Sequence, residues 1–329
     1  MKEKAILFGK HKSLIGIWTE PQAPDLAAGR PAVILLNAGV VHRIGPHRAS
    51  VRIARRLAAE SFLVVRFDLA GLGDSEPRRD TLSFQEGAVS DVIEAMDHLQ
   101  KTRNIDEFVL MGLCSGADNS YQTACRDPRV VGALMMDGYS YPTPEFHVRR
   151  FLKRARHVST WMAFARRKLD ELERRVRGPR GEKTAGVAAA PPPSVTPGEP
   201  IRQYVREFPP KEQLRSEMIA LVARGARLHF VYSCGMPQYY NYARQFMDSF
   251  RGVDFKGRVT SEFFAEADHT FTELKNQEAL VAAIVRWMRT SFPTPGASTS
   301  RPSEVPEQQD GNPVSSSLAF QSLRAVSRS

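Results

Sequence analysis

Short apolar runs alternate with amphipathic stretches along most of this chain, and that rhythm restricts it to the α/β class. Pro31 to Leu36 and Val64 to Phe67 read as strands, and the helical spacing of Ala49 to Glu60 between them completes one βαβ unit. Phe84 to Thr102 reads as a helix, Phe108 to Met111 as a strand, Ser115 to Ala124 as a helix and Val130 to Met136 as a strand. Strands that are apolar on both faces need helices above and below them, so the spacing predicts a doubly wound, mostly parallel sheet. An opening hairpin is expected from Ala5 to Trp18, where Gly9 to Lys12 separates two apolar runs.

The rhythm stops at Pro142 and Pro144. Beyond them Val148, Phe151, Leu152, Ala155, Val158, Met162, Ala165, Leu169, Leu172 and Val176 recur at steps of three and four, which predicts one long amphipathic helix. Gly, Ala and Pro dominate residues 178–200, a composition that ends a helix and makes a flexible loop. A helix over Lys211 to Arg224, a strand over Arg227 to Tyr232, a helix over Tyr240 to Phe250, a strand over Val259 to Phe264 and a closing helix over Glu273 to Phe292 restore the alternation. The predicted organisation is therefore a core of residues 1–140 and 210–292, a helical lid insertion over 141–209, and a disordered tail over 293–329.

The charge follows this division. The formal net charge is +10, and residues 148–215 hold 17 Lys and Arg against 7 Asp and Glu, so one segment carries the whole surplus. Such a face suits an anionic headgroup or a membrane surface. It lacks the interleaved aromatics of nucleic-acid motifs, which argues against nucleic acid as a partner. No run approaches the roughly 20 apolar residues of a spanning helix, and the opening residues lack the apolar core of a secretory signal. Three cysteines, Cys114, Cys125 and Cys234, are spaced neither as a disulfide framework nor as a zinc site. A reducing compartment, the cytoplasm, is expected, with no metal and no cofactor.

The chemistry concentrates at Gly112-Leu113-Cys114-Ser115-Gly116, which follows one predicted strand and opens a predicted helix. A nucleophile in this setting sits on a tight strand-to-helix turn, and glycines two positions away keep the turn clear of its neighbours. Cys114 holds the centre. The helix N-terminus beneath it favours a thiolate, so its thiol should ionise below the free value of about 8.5. Two other readings stay open: Cys114 as a small buried hydrophobe, and Ser115 as the nucleophile with Leu113 and Ala117 in the glycine positions.

Four blocks together resemble the α/β-hydrolase superfamily over residues 5–140 and 210–292: Asn37-Ala38-Gly39-Val40, Phe67 to Ser75, the segment around Cys114, and Ala267-Asp268-His269-Thr270-Phe271. More narrowly, Asn37 to Arg48 and Gly112 to Ala117 resemble the small hydrolases associated with exosortase A and exopolysaccharide loci. The resemblance implies the α/β-hydrolase fold, an oxyanion loop at the first block and a catalytic histidine in the last. His269 is then the general base, Val40 and Ser115 supply oxyanion-hole N–H groups, and His42 and His47 on the oxyanion loop are candidates for substrate contact. Relatives commonly carry an aspartate after the strand here placed at Arg227 to Tyr232, yet this loop reads Ser233-Cys234-Gly235-Met236-Pro237 with Met236 in the acid position. Asp137, one strand earlier, is the alternative acid, and equally a strand-end turn residue; Asp248, Asp254 and Asp268 are less well placed.

Two functions are compatible with these residues. One is an acyl hydrolase or acyltransferase that acts on a small-molecule ester, lactone or thioester through a thioester on Cys114. The other is a catalytically silent member of the fold that binds an acyl ligand or a partner, suggested by Met236.

Overall fold

The computed structural model describes residues 1–21, 29–155, 206 and 208–294. Strand β1 (Lys2–Phe8) turns back into β2 (Leu14–Glu20), and the two pair antiparallel from Lys2↔Glu20 to Phe8↔Leu14. The hairpin is longer than its apolar runs predict because charged residues tie down its ends. Glu3 bonds to Arg55 at 2.7 Å and Arg66 at 3.2 Å, and Glu20 bonds to Arg103 at 2.5 Å.

Six further strands follow: β3 (Ala32–Leu35), β4 (Val64–Phe67), β5 (Phe108–Leu113), β6 (Val130–Met136), β7 (Arg227–Ser233) and β8 (Val259–Phe264). They form one eight-stranded sheet in the order β1-β2-β4-β3-β5-β6-β7-β8. β2 meets β4 antiparallel, and every pair from β4 onward is parallel. The chain crosses from β3 to β4 through α1 (Ala49–Ala59), from β4 to β5 through α2 (Phe84–Arg103), and from β5 to β6 through α3 (Ser115–Arg126). Helices α5 (Lys211–Ala223) and α7 (Leu274–Ser291) precede β7 and follow β8, while α4 (Pro144–Ala155) and the short α6 (Gln245–Ser249) lie in the connections beyond β6 and β7.

Successive residues of a strand serve opposite cores, as a pleated sheet covered on both sides requires. Ile34 and Leu110 join Met96 of α2, Tyr121 of α3 and Met218 of α5 on one face. Val33, Leu35, Val109 and Met111 join Leu57 of α1 and Ile284 of α7 on the other. The doubly wound sheet expected from the sequence is the one observed.

The helix predicted over Tyr240 to Phe250 is reduced to Gln245–Ser249. Fully buried Gln245 explains the loss, because its side-chain amide donates to the Tyr239 carbonyl at 2.6 Å and its oxygen accepts from the Asn241 N–H at 2.9 Å. Backbone groups satisfied by a side chain do not need a helix. The long helix predicted from Val148 is described only as far as Ala155, where α4 opens on Thr143, whose hydroxyl accepts from the Phe146 N–H at 3.1 Å. Its continuation to Val176, the loop over 178–200 and the tail from 295 lie outside the described residues. No helix among the described residues is long and apolar enough to cross a membrane.

Candidate active site

Cys114 is the residue between β5 and α3, with φ 57° and ψ −117°. Left-handed backbone at a non-glycine residue is strained, and here the surroundings enforce it. A Cβ on Gly112 would stand 2.2 Å from the backbone of Gly116, and one on Gly116 would stand 2.4 Å from the Asn37 carbonyl oxygen. Strand, helix and the loop after β3 therefore meet at a distance that only glycine allows, which lifts Cys114 to the carboxyl edge of the sheet.

Three side chains from three strand ends converge there. The His269 ring, on the loop between β8 and α7, lies beside the Cys114 thiol and places Nδ1 2.8 Å from Oδ2 of Asp137. Asp137 is the residue after β6, is 4% exposed and also has positive φ, 46°. Its Oδ1 accepts from the Ser233 N–H at 2.7 Å and its Oδ2 from the Ser233 hydroxyl at 2.6 Å. The last residue of β7, which leads into a loop without a carboxylate, thus supplies the donors that hold one. Gly235 completes the fit, since a Cβ on it would fall 2.0 Å from the His269 nitrogen.

The electrostatics of the pair point in opposite directions. The hydrogen bond from His269 holds the Cys114 thiol below its ordinary range, assisted by the positive charges of Arg206 and His269 and opposed by burial. His269 is raised to about 9, first by its bond to Asp137 and then by its bond to Cys114. Both shifts favour a thiolate facing an imidazolium. Cys125 lies at the other extreme, because burial pushes its thiol up to about 11. A brief reaction with iodoacetamide at neutral pH, mapped by peptide mass, is accordingly expected to label Cys114 well before Cys125. Equal labelling would mean that the imidazole does not activate Cys114.

The loop after β3 is anchored from both sides. Asn37 donates to the Val41 carbonyl at 3.0 Å and to Asp68 at 3.2 Å, and it accepts from the Leu69 N–H at 2.9 Å. Asp68, with no exposed surface, also pairs with Arg43, whose guanidinium reaches Asp74 at 2.6 Å. The Gly39 N–H donates to the Ser115 hydroxyl at 2.8 Å. That bond turns the Ser115 side chain toward the loop and brings the Val40 and Ser115 segments side by side. The Val40 side chain itself is 85% exposed.

His47 points to the histidine loop, with Nε2 3.1 Å from the Thr272 hydroxyl and 3.4 Å from that of Thr270. His42 is exposed, and its side chain forms no hydrogen bond among the described residues. The roles of Ser233, Gly235, Arg43 and Arg206 escaped the sequence reading, because each acts on a partner distant in the chain.

Several concavities open among the described residues, and two of them bear on the site. One, of about 900 Å³, lies between α1 and α7 and touches none of Cys114, Asp137 and His269. The other, of about 790 Å³, runs between α4 and the loop after β7, where Val148, Leu152 and Tyr240 face Arg149, Arg150, Lys153 and Cys234. Its lining also contains none of Cys114, Asp137 and His269, but Cys234 in its wall precedes the glycine packed on the His269 backbone.

Comparison with known proteins agrees with this fold. A family described as serine aminopeptidases, S33, matches residues 32–183. An esterase of Pyrococcus furiosus superposes with a TM-score of 0.50 at 12% identity, covering 88% of this chain and 90% of its own. The chain has the α/β-hydrolase fold. An α/β serine hydrolase homologue from Coxiella burnetii is similar at 13% identity and TM-score 0.49, over 87% of this chain and 97% of that one. No curated protein sequence matches the chain. The matched family and the convergence at the elbow together support a hydrolase. In this chain the elbow residue is a cysteine, where the matched family is named for serine.

Proposed function

We propose that this α/β hydrolase acts on an ester, lactone or thioester through a thioester formed on Cys114, and that water or an alcohol accepts the acyl group. The observation that carries the reading is the Asp137 carboxylate 2.8 Å from the His269 ring whose other side meets the Cys114 thiol. The Cys114 thiolate attacks the carbonyl carbon, and the N–H groups of Ser115 and Val40 receive the charge that develops on the oxygen. His269, as imidazolium, gives its proton to the departing alkoxide or thiolate as the carbonyl reforms. Neutral His269 then takes a proton from water or an acceptor alcohol, which attacks the thioester and releases Cys114 as thiolate. Asp137 keeps the His269 proton on Nδ1 throughout, so Nε2 faces the sulfur.

The alternative of a silent binder rested on Met236 in place of a carboxylate. The Asp137 contact, held by two bonds from Ser233, takes that motive away. The groove between α4 and the loop after β7 supports the lid reading of residues 141–209 and an amphipathic substrate, with an acyl part along Val148 and Leu152 and an anionic headgroup toward Arg150 and Lys153. The same basic face could meet an anionic membrane surface. The cytoplasm is the compartment in which such a thiol stays reduced.

Intact mass after brief incubation with a panel of activated acyl esters tests the reading. One acyl adduct, mapped to Cys114 and lost with time, is expected, and the acyl chain that accumulates most reports the groove's preference. Labelling confined to Cys125, Cys234 or lysines would refute it.

A further inference from the structure

The nucleophile and the acid stand on different strands, and one cation joins their supports. Arg206 lies five residues before α5, with its side chain 15% exposed. Its Nε donates to Oδ2 of Asp118 at 2.7 Å and its Nη2 to Oδ1 at 2.9 Å, a two-point contact with a carboxylate that is 1% exposed. The same Nη2 donates to the backbone carbonyl of Asp137 at 2.8 Å. Asp118 belongs to the first turn of α3, and its N–H donates to the Cys114 carbonyl at 3.2 Å. The guanidinium thus touches the nucleophile's helix one turn from the sulfur and the strained backbone of the acid.

Resting on the thioester reading above, we infer that Arg206 is a positioning residue that clamps the nucleophile helix to the acid-bearing turn and offsets the Asp118 charge beside the Cys114 thiolate. A buried carboxylate one turn from a thiolate opposes its formation, and a guanidinium bonded to that carboxylate reverses the local field. Arginine suits the place because its planar fork serves the carboxylate with two nitrogens and still reaches the carbonyl, which a lysine ammonium on one point does not. The ring of Phe208, 5.0 Å beneath the guanidinium and packed against Tyr139 and Tyr239, holds the fork in its plane. Asp118 is also the sequence signal that points to this site: a carboxylate between Ala117 and Tyr121 on the buried face of α3 demands a cation from elsewhere.

The test is the pH dependence of Cys114 alkylation by iodoacetamide, followed by mass in the full-length protein, which requires no substrate and no turnover. Arg206→Met is expected to move the alkylation midpoint up by about one pH unit, and so to slow labelling about tenfold at pH values below the parent's midpoint. Asp118→Asn is expected to move it the other way, because the guanidinium then acts on the thiolate without the Asp118 carboxylate opposing it. Loss of packing alone would shift both variants in the same direction. The proposal falls if Asp118→Asn shifts the midpoint upward or leaves it unchanged, and that variant decides the matter even if Arg206→Met does not fold. Should Cys114 in the unaltered protein react no faster than Cys234, the thioester reading fails instead, and the two failures are told apart within one experiment.

Discussion

Cys114→Ala is expected to abolish turnover, by a factor on the order of 10⁶ if the pair acts as a nucleophile unit, while the fold remains in place. The side chain removed is small and half-buried, and nothing in the sheet depends on it: Gly112 and Gly116 set the elbow, and the Cys114 backbone bonds to the Met136 carbonyl at 2.9 Å whatever the side chain. Alanine also tolerates positive φ no worse than cysteine does. Steady-state kinetics on the best acyl ester, beside a thermal melt, measures both parts. Residual activity within tenfold of the parent would mean that another group attacks the carbonyl. The adduct seen by mass must vanish in the same variant.

The fold was legible because its strands are continuous apolar runs and its helices keep their spacing, two signals that act within a few residues. The elbow was legible for a similar reason: Gly112 and Gly116 flank Cys114 at the strand-to-helix junction, and steric contact makes both glycines necessary. His269 stood out as the histidine in the loop after the last strand. Asp137 was half legible. Its position after β6 allowed the role, but the role depends on a partner 132 residues away, and a strand-end aspartate reads equally well as a turn former.

What supports the triad was not legible, and the reason is physical. Ser233 and Asp137 are 96 residues apart, and Arg206 and Asp118 are 88 apart. Such bonds exist only once the sheet has brought strand ends together, so neither periodicity nor composition foretells them. The helix expected from Tyr240 failed similarly, since one buried glutamine amide outweighs the helical preference of the residues before it. On the proposed reading, the Ser233-Cys234-Gly235-Met236 loop makes a departure from a family's pattern a transfer of function. An acid is missing there, yet the hydroxyl and the N–H that fix the acid on the neighbouring strand are both present.

That transfer makes Asp137→Asn the most informative change after the loss of the sulfur. Asparagine fits the same space and can keep its oxygen toward the Ser233 N–H, but its amide then stands where Oδ2 meets the Ser233 hydroxyl and His269 Nδ1. An amide N–H facing Nδ1 selects the imidazole tautomer with its proton on Nε2, toward the sulfur, where it cannot accept one. The carboxylate is also the largest cause of the raised His269 value of about 9, so its loss lowers that value. The imidazolium that protonates the leaving group then titrates away at lower pH, and the thiolate it supports becomes harder to form. Both changes narrow the pH window of the ion pair from the alkaline side downward and the acid side upward. A fall in kcat/KM of about 10²- to 10⁴-fold is expected, with the alkaline limb displaced toward neutrality. An unchanged alkaline limb, with activity within about threefold of the parent, would reduce Asp137 to a turn residue. Measuring the profile rather than one rate matters, because a merely loosened fold lowers activity at every pH alike, whereas a lost carboxylate moves the limb.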